Sequence, residues 1–231
     1  VNPVDEVIVF DPYFVMYPHQ IALCGATMIV VDTAPSFAID PERVAAAITA
    51  RTKAIIVNSP SNPSGVVVPA DTLKALVELC ERRGILLISD EIYHAFSYDG
   101  PFRSPAEFGN DVLVVDGFGK TYGMTGWRMG FAHGPKHLID EMVKLQQVTF
   151  VCAPSIAQHG TLAALDIDVQ PIVDDYRRKR DRLCAGLRDH FQFATPGGAF
   201  ISIPKSRAAR RRNSSRKRFA TTCSSSPARR S

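Results

Sequence analysis

The sequence predicts an α/β fold, in which a mostly parallel sheet carries helices on both faces, and three observations support it. Short segments such as residues 54–57 and 112–115 are continuously hydrophobic, as strands buried on both faces are. Amphipathic segments of helical period separate these strands, which is the pattern of a parallel sheet with crossover helices. Turns rich in asparagine, glycine or proline follow several strands, so functional side chains are expected at the carboxyl ends of the strands.

The first half of the chain supplies four strands and the first two helices. Apolar runs predict strands at residues 7–10, 27–31, 54–57 and 85–88. Residues 13–23 form a helix or a loop followed by a helix. The next helix runs to about residue 50, because Asp40 is a favourable N-cap and Pro41 suits the first helical position.

The third helix starts at residue 69 or 71, carries one apolar stripe and ends at Gly84, a residue type common just past helix ends. Strands at 112–115 and 129–132 follow it. Three further helices are predicted at 135–148, 155–165 and 169–190, the last with charge on most of its faces.

Composition excludes several classes of protein. Of the 231 residues 45% are apolar, but no run of about 18 apolar residues is present, so no transmembrane helix is expected. The first residues do not form a signal peptide, and the five scattered cysteines contain no C-x-x-C pair. We therefore expect reduced, mostly buried thiols in a cytoplasmic protein. Because the chain lacks an initiator methionine and enters a strand almost at once, we expect a fragment.

The net charge of +4 comes from one segment. Residues 205–231 contain ten Lys and Arg and no Asp or Glu, so the remainder holds 17 basic and 23 acidic residues and carries −6. This composition predicts a basic, disordered tail. It is either an arm for an acidic partner or the product of a shifted reading frame or mis-set gene end. The abrupt break after Pro204 favours the second origin, and without a base-reading motif we expect no nucleic-acid partner.

Three predicted strand ends carry side chains suited to chemistry. Asn62 lies in the rigid turn NSPSNPSG, although turn preferences alone also explain such a segment. Asp90 and Tyr93 follow the next strand in SDEIYHAF, where a buried carboxylate needs a positive partner or serves as a helix cap. Lys120 and Arg128 lie in GKTYGMTGWRM, after the strand at 112–115.

Two other site types are rejected at these strand ends. A nucleotide-binding P-loop ending at Lys120 requires glycine at position 114, which is Val114. His94 has no second histidine or cysteine at metal-ligand spacing, so it is interpreted as a structural histidine and no metal site is expected.

The combination of a lysine and a carboxylate indicates a chemistry. An apolar, glycine-rich pocket disfavours the ammonium form of a lysine, and the free amine is the nucleophile in Schiff-base formation. A carboxylate opposite a pyridinium nitrogen is the second requirement of pyridoxal phosphate chemistry.

These motifs, together with DEVIVFDPYFVMYP and PGGAFISIP, resemble the class I and II aminotransferases, which are fold-type I pyridoxal-phosphate enzymes. The resemblance covers about residues 2–204. It implies a cofactor-binding large domain at 1–165 with its N-terminal part missing. A linking helix and the start of a smaller α+β domain occupy 166–204. It also implies an amino acid and a 2-oxo acid as substrates, and a homodimer.

The resemblance assigns roles to the strand-end residues. Lys120 is implied as the lysine that binds the cofactor covalently and then moves the proton at the substrate Cα. Asp90 is implied to pair with the protonated pyridine nitrogen. Tyr93 and Asn62 are implied to hydrogen-bond the 3-oxygen of the ring.

Two further residues of the cofactor site follow from the resemblance. Arg128 is implied as a bidentate partner of the cofactor phosphate, a task that suits its planar guanidinium. Phe14, or alternatively Tyr13, occupies the position of an aromatic that stacks on the ring. An ordinary core aromatic is the alternative interpretation of Phe14.

The chain departs from the family pattern in three places. Gly117 stands where a serine three residues before the lysine usually contacts the phosphate. The segment before residue 1, which normally cradles the phosphate, and the arginine that binds the substrate α-carboxylate, beyond residue 204, are both missing. The alternatives to an aminotransferase are a fold-type I carbon–sulfur lyase and an inactive fragment, and the sequence does not select the substrate pair.

Overall fold

The computed structural model describes residues 1–200 and 205–206. Its main sheet contains six strands, and a two-stranded ribbon lies near the end of the described chain. The strands are β1 Glu6–Asp11, β2 Thr27–Asp32, β3 Thr52–Asn58, β4 Leu86–Asp90, β5 Val112–Gly117, β6 Gly130–His133, β7 Phe191–Gln192 and β8 Lys205–Ser206. The helices are α1 Tyr17–Leu23, α2 Pro41–Ala47, α3 Ala70–Arg83, α4 Phe118–Thr121, α5 Lys136–Thr149, α6 Ser155–Ala164 and α7 Gln170–Leu187.

The six-stranded sheet has the order β2-β1-β3-β4-β5-β6. Its first five strands are parallel, and β6 pairs antiparallel with β5 at one edge. The mostly parallel α/β fold is confirmed, since each strand predicted from an apolar run is present within two residues of its predicted limits.

Helices cover the sheet on both faces because side chains alternate along each strand. Ile8, Ile55 and Val57 point to one face and pack with buried residues of α3, including Leu73. The neighbouring Val7 and Val9 belong to a second cluster, which includes residues of α1 on the opposite face. Full burial of each large aliphatic side chain contributes about 1.5–3 kcal/mol, so these two clusters hold the layers together.

Two helix ends, at Asp40 and at Gly84, follow from the residue types there. The Asp40 side chain accepts a hydrogen bond from the Glu42 amide at 2.9 Å, as an N-cap does. Helix α2 then ends at Ala47, three residues before the predicted limit. Gly84 follows α3 in the left-handed conformation, with φ 61°, which confirms its role as the end of that helix.

The second half of the described chain exposes much apolar surface. None of the residues of α5 is buried, although the helix is amphipathic. The exposed large apolar side chains of this region include Phe131, Met142, Val143, Leu145, Val148, Phe150, Ile156 and Leu162. Exposed apolar surface of this extent is typical of interaction sites.

The cysteines are less buried than the sequence predicted. Of the four cysteines that lie in the described residues, Cys80 and Cys184 are buried and Cys24 and Cys152 are exposed, so the prediction of mostly buried thiols is wrong for half of them. All four are free thiols. In the described residues no helix has the length and apolar character needed to cross a membrane.

The segment predicted as a tail begins inside the small ribbon. Lys205 and Ser206 form β8, which pairs antiparallel with β7. The first two residues of the predicted tail are therefore part of a strand. Residues 207–231, to which the rest of that prediction refers, lie outside the described residues.

Candidate active site

The three strands that carry the predicted site residues are neighbours in the sheet. Asn58 at the end of β3 pairs with Asp90 at the end of β4, and Asp90 pairs with Val115 in β5. Beyond these ends lies a cavity of about 380 Å³. The residues that line it include all six predicted site residues: Phe14, Asn62, Asp90, Tyr93, Lys120 and Arg128.

Asp90 is a part-buried carboxylate with two hydrogen-bond donors. Its Oδ2 accepts a hydrogen bond of 2.6 Å from the Tyr17 hydroxyl, and its Oδ1 accepts one of 3.3 Å from the Ile92 amide. Burial raises the pKa of Asp90, while the Tyr17 bond acts in the opposite direction. No ion pair formed within residues 1–200 involves Asp90, so this carboxylate is suited to a cationic ligand.

Tyr93 forms an aromatic wall next to Lys120. It is only 3% exposed, and its ring centroid lies 5.7 Å from Lys120 Nζ. Burial and the nearby Asp90 charge raise the pKa of Tyr93, whereas a hydrogen bond with the Asn62 side chain lowers it. Tyr93 is therefore a neutral phenol at pH 7 and can donate its proton.

Asn58 is a site residue that the sequence interpretation missed. Its Nδ2 donates to the Asp90 carbonyl oxygen at 3.0 Å, and its Oδ1 accepts from the Asn62 amide at 2.6 Å. It therefore ties the turn that carries Asn62 to the strand that carries Asp90. The available signal was its position as the first polar residue after the apolar run of β3.

Lys120 lies on the short helix α4, directly after β5. A Cβ atom at Gly117 would lie 2.9 Å from the Met129 carbonyl oxygen and 3.2 Å from Gly130 Cα. The antiparallel pairing of Gly117 in β5 with Gly130 in β6 thus leaves no room for the serine that the family pattern has at position 117. At Gly119 a Cβ atom would lie 3.6 Å from Thr125 Cα, which is an ordinary contact.

Arg128 and Phe14 reach the same cavity from other segments. Arg128 has the left-handed backbone conformation, with φ 54°, two residues before the start of β6 at Gly130. Its only described hydrogen bond runs from Nη1 to the Thr125 carbonyl oxygen at 3.3 Å, so most of the guanidinium remains available to a ligand within the described part of the chain. The Phe14 ring meets the Tyr17 ring edge to face, with 5.6 Å between centroids.

Tyr17 and Asp116 are two further residues that sequence reasoning missed. Tyr17 is buried and follows Phe14 by three residues at the start of α1, and only its hydrogen bond shows its relation to Asp90. Asp116 lines the cavity from β5 and forms an ion pair with His94. His94 therefore has a carboxylate partner, as expected for a structural histidine.

The cavity has the properties of a site for a small aromatic anion with a basic ring nitrogen. Its volume is in the usual range of ligand sites. Asp90 offers a part-buried carboxylate to a cationic ring atom, Arg128 offers a guanidinium to an anionic group, and Lys120 offers a primary amine. Phe14 and Tyr93 supply flat apolar surface. The residues present therefore fit pyridoxal phosphate.

The fold and the site together define a class of protein. The family model "Aminotransferase class I and II" matches residues 1–223 of the chain, and the chain belongs to this family. The match extends beyond residue 204, where the sequence motifs end.

Particular relatives are aspartate aminotransferases. The chain is 41% identical over 212 residues to the aspartate/prephenate aminotransferase of Thermus thermophilus, covering 87% of this chain and 55% of that protein. It is 38% identical over 209 residues to a probable aspartate aminotransferase of Methanocaldococcus jannaschii, covering 87% of this chain and 56% of that protein. The chain thus spans about half the length of the curated relatives it matches.

Solved structures agree in fold. The aspartate aminotransferase of Thermus thermophilus with maleate superposes with a TM-score of 0.83 at 41% identity, over 86% of this chain and 55% of that one. The aspartate aminotransferase of Thermotoga maritima gives a TM-score of 0.87 at 35% identity, over 90% of this chain and 57% of that one.

Proposed function

We propose that the protein to which this chain belongs transfers an amino group between an amino acid and a 2-oxo acid, with pyridoxal phosphate as cofactor. The observation that carries the proposal is the single cavity lined by Lys120, Asp90 and Arg128. Membership of the class I and II aminotransferases supports it. A bound pyridoxal phosphate supplies an electron-withdrawing ring that stabilises negative charge at the substrate Cα.

Asp90 is the residue proposed to hold a proton on the ring nitrogen. A buried carboxylate next to a cation favours the charged form of both groups. The Tyr17 hydroxyl, 2.6 Å from Oδ2, fixes the orientation of the carboxylate. Because burial raises the pKa of Tyr17, this phenol keeps its proton and continues to donate.

Lys120 is proposed to bind the cofactor covalently through Nζ and then to move the proton at the substrate Cα. The aromatic rings of Tyr93 and Phe200 lie 5.7 and 5.8 Å from Nζ and shield the amine from water on those sides. Asn62 and Tyr93 would hold the phenolic oxygen of the ring, Arg128 would bind the phosphate, and Phe14 would stack on the ring.

The names of the relatives give a first substrate to test. Because several are named aspartate aminotransferases, we propose aspartate as amino donor and 2-oxoglutarate as acceptor. We further propose that the whole protein is a homodimer, because α5, α6 and β6 expose apolar side chains that need a partner surface.

Cofactor binding is the first experiment. Pyridoxal phosphate is added to the purified chain, the visible absorbance is recorded, and borohydride reduction is followed by mass spectrometry of peptides. The cofactor is expected on Lys120, and Lys120→Ala should lose the visible band. Lys144→Ala, which removes an exposed lysine of α5, is the matched control and should keep it. A reduced adduct on another lysine would disprove the assignment.

Analysis of the reaction products then distinguishes an aminotransferase from a carbon–sulfur lyase and from an inactive fragment. Glutamate formed from aspartate and 2-oxoglutarate supports transamination. Release of ammonia and an oxo acid from a sulfur-containing amino acid would indicate a carbon–sulfur lyase. A chain that binds the cofactor at Lys120 but gives neither product would be a cofactor-binding fragment, and the assay would then be repeated with the complete protein.

A further inference from the structure

The ring of Trp127 lies against helix α6 at Gly160. A Cβ atom added to Gly160 would lie 3.2 Å from Cζ3 of the Trp127 ring, 3.5 Å from Cη2 and 3.7 Å from Cε3. These three atoms belong to the six-membered half of the indole, so this half occupies the space that a side chain at position 160 would need. Although Trp127 is 47% exposed, the contact connects the turn before β6 with a helix later in the chain.

Gly160 is the one glycine of α6 and lies within the helix. Glycine destabilises a helix interior relative to alanine, because it loses more backbone freedom on folding. It shares one stripe of the helix with the buried residues Ala157, Thr161 and Ala164, which are three or four residues from it or directly next to it. The Trp127 ring therefore gives a physical reason for a residue without a side chain at this position.

Arg128 follows Trp127 directly, at the end of a single turn of 3-10 helix. Its φ of 54° is a left-handed conformation, which a residue with a long side chain keeps only where its surroundings hold it. The hydrogen bonds of this turn are local: the Trp127 amide donates to the Met124 carbonyl oxygen at 3.2 Å, and Arg128 Nη1 donates to the Thr125 carbonyl oxygen at 3.3 Å. Such bonds shape the turn but do not fix it to the rest of the fold.

Contacts with other segments hold the chain on both sides of Arg128. After Arg128, the Met129 carbonyl oxygen accepts a hydrogen bond of 3.2 Å from the Phe118 amide. Before it, the Trp127 ring lies on α6 at Gly160. Arg128 is the residue between these two anchor points, so a shift of either one changes where its guanidinium points.

We propose that Gly160 is a positioning residue of the phosphate site, since it lets the Trp127 ring lie on α6 and this contact holds Arg128 where it can bind the cofactor phosphate. The inference rests on the proposed function, in which Arg128 binds that phosphate. A side chain at position 160 moves the ring away from the helix and displaces Arg128. Asp90 and Lys120, which serve the rest of the cofactor, lie on β4 and α4 and stay in place.

Two ligands separate an effect on the phosphate site from a general loss of structure. Pyridoxal phosphate and pyridoxal share the ring and the aldehyde that reacts with a lysine, but pyridoxal has no phosphate. The dissociation constants of both are measured from the visible absorbance of wild type, Gly160→Ala and Gly160→Leu. Gly186→Ala is the matched control, because Gly186 also lies in a helix, α7, and no described atom lies within 4 Å of an added Cβ there.

The chain contains its own probe of the contact. Trp127 is the one tryptophan among the 231 residues, so the tryptophan emission of the cofactor-free chain reports this ring alone. The ring must give way by a few tenths of an ångström in Gly160→Ala and by more in Gly160→Leu. The emission should therefore shift to longer wavelength, and quenching by acrylamide should increase, in that order. Gly186→Ala should leave both unchanged.

Binding should change in the same order as the emission. Gly160→Ala should raise the dissociation constant of pyridoxal phosphate by about threefold to tenfold, because charge-assisted hydrogen bonds depend on close alignment. Gly160→Leu should raise it by a larger factor. The dissociation constant of pyridoxal should stay at the wild-type value in both variants. Circular dichroism establishes that each variant is folded, and Gly160→Ala carries the test if Gly160→Leu unfolds.

A double variant tests whether Gly160 acts through Arg128. Arg128→Ala alone should weaken binding of pyridoxal phosphate by about tenfold or more and leave pyridoxal unchanged. Gly160→Ala combined with Arg128→Ala should bind no more weakly than Arg128→Ala alone, since the residue that Gly160 positions is already gone. Losses that add up would overturn the inference.

The remaining outcomes separate failure of this inference from failure of the proposed function. Equal weakening of both ligands in Gly160→Ala would show a merely structural role and overturn the inference, and so would unchanged emission in Gly160→Leu. A loss in Arg128→Ala without a loss in the Gly160 variants would overturn the inference alone and leave the proposed function standing. A wild-type chain without preference for pyridoxal phosphate over pyridoxal would contradict the phosphate site of the proposed function, and the role of Gly160 with it.

Discussion

The Tyr17 hydroxyl donates a hydrogen bond of 2.6 Å to Asp90 Oδ2, across a separation of 73 residues. The bond joins the start of α1 to the end of β4, two segments that the sequence alone does not connect. Tyr17 is buried, and its pKa is raised by burial and by the Asp90 charge. The carboxylate proposed to face the cofactor is thus held by a neutral donor, which leaves its negative charge available.

Tyr17→Phe should weaken binding of pyridoxal phosphate. The substitution removes a hydrogen bond to a charged group, which is worth about 1.5–3 kcal/mol, so the dissociation constant should rise by about tenfold or more. Titration of the visible absorbance measures it. Tyr13→Phe, at the alternative aromatic position, is the control and should have little effect, and equal weakening by both variants would contradict a specific role for the Asp90 bond.

Two glycines of the Lys120 turn should respond oppositely to alanine. Gly117→Ala should destabilise the chain, because the added Cβ would lie 2.9 Å from a backbone oxygen of the adjacent strand, and overpacking typically costs about 1–3 kcal/mol. Gly119→Ala should stabilise it by about 0.4–1 kcal/mol, since the added Cβ would make only ordinary contacts and alanine restricts the unfolded chain. Urea unfolding measures the stability of both variants. A loss of stability in Gly119→Ala would show that the turn has no room for a Cβ atom at this position.

Glu6 should contribute to a loss of stability in acid. Its buried carboxylate accepts hydrogen bonds from Thr49 and Arg51, and these partners lower its pKa in the folded state. A lowered folded pKa means that the contribution is complete above the unfolded value of about 4.5 and is lost as pH falls towards the folded value.

Glu6→Gln should therefore lower the free energy of unfolding at pH 7. It should also reduce the further loss of stability between about pH 5 and pH 3, the range in which carboxylates titrate. Urea midpoints across this range test the prediction. Glu78→Gln removes an exposed carboxylate whose pair with Arg82 spans 3.7 Å, and it should leave the profile unchanged. An unaltered profile in Glu6→Gln would assign acid sensitivity to other groups.

The described cysteines should fall into two reactivity classes. Burial raises the pKa of Cys80 to about 12 and also raises that of Cys184, so both should resist alkylation in the folded chain. Cys24 and Cys152 are exposed and should be alkylated first. Peptide mass spectrometry after brief iodoacetamide treatment distinguishes them, and rapid labelling of Cys80 would show that α3 opens readily.

The fold was predictable because its signals are local. Each buried strand is a continuous apolar run, and Asp40 and Gly84 mark helix ends through preferences that act within a few residues. The end of α2 at Ala47 was less predictable, since no glycine or proline follows to fix it. The antiparallel direction of β6 depends on the sheet as a whole and has no signature within the segment.

The site was predictable where a residue of a chemically suitable type directly ends or follows a strand, as Asp90 and Lys120 do. Tyr17, Asn58 and Asp116 were missed because their relation to the site is spatial. Tyr17 resembles an ordinary core aromatic, and Asn58 an ordinary turn residue. The crowding at Gly117 arises from the start of β6, which pairs with the end of β5, so only the structure shows why a serine would not fit there.

The exposed apolar face of α5, α6 and β6 should affect how quickly the chain is degraded in a cell. Chaperones and proteases of the quality-control system recognise persistent hydrophobic surface, whatever the quality of the core beneath it. The two clusters that hold α1 and α3 to the sheet can therefore be well packed while the polypeptide is still short-lived. Its abundance should depend more on how quickly that face is covered than on the free energy of unfolding of the sheet.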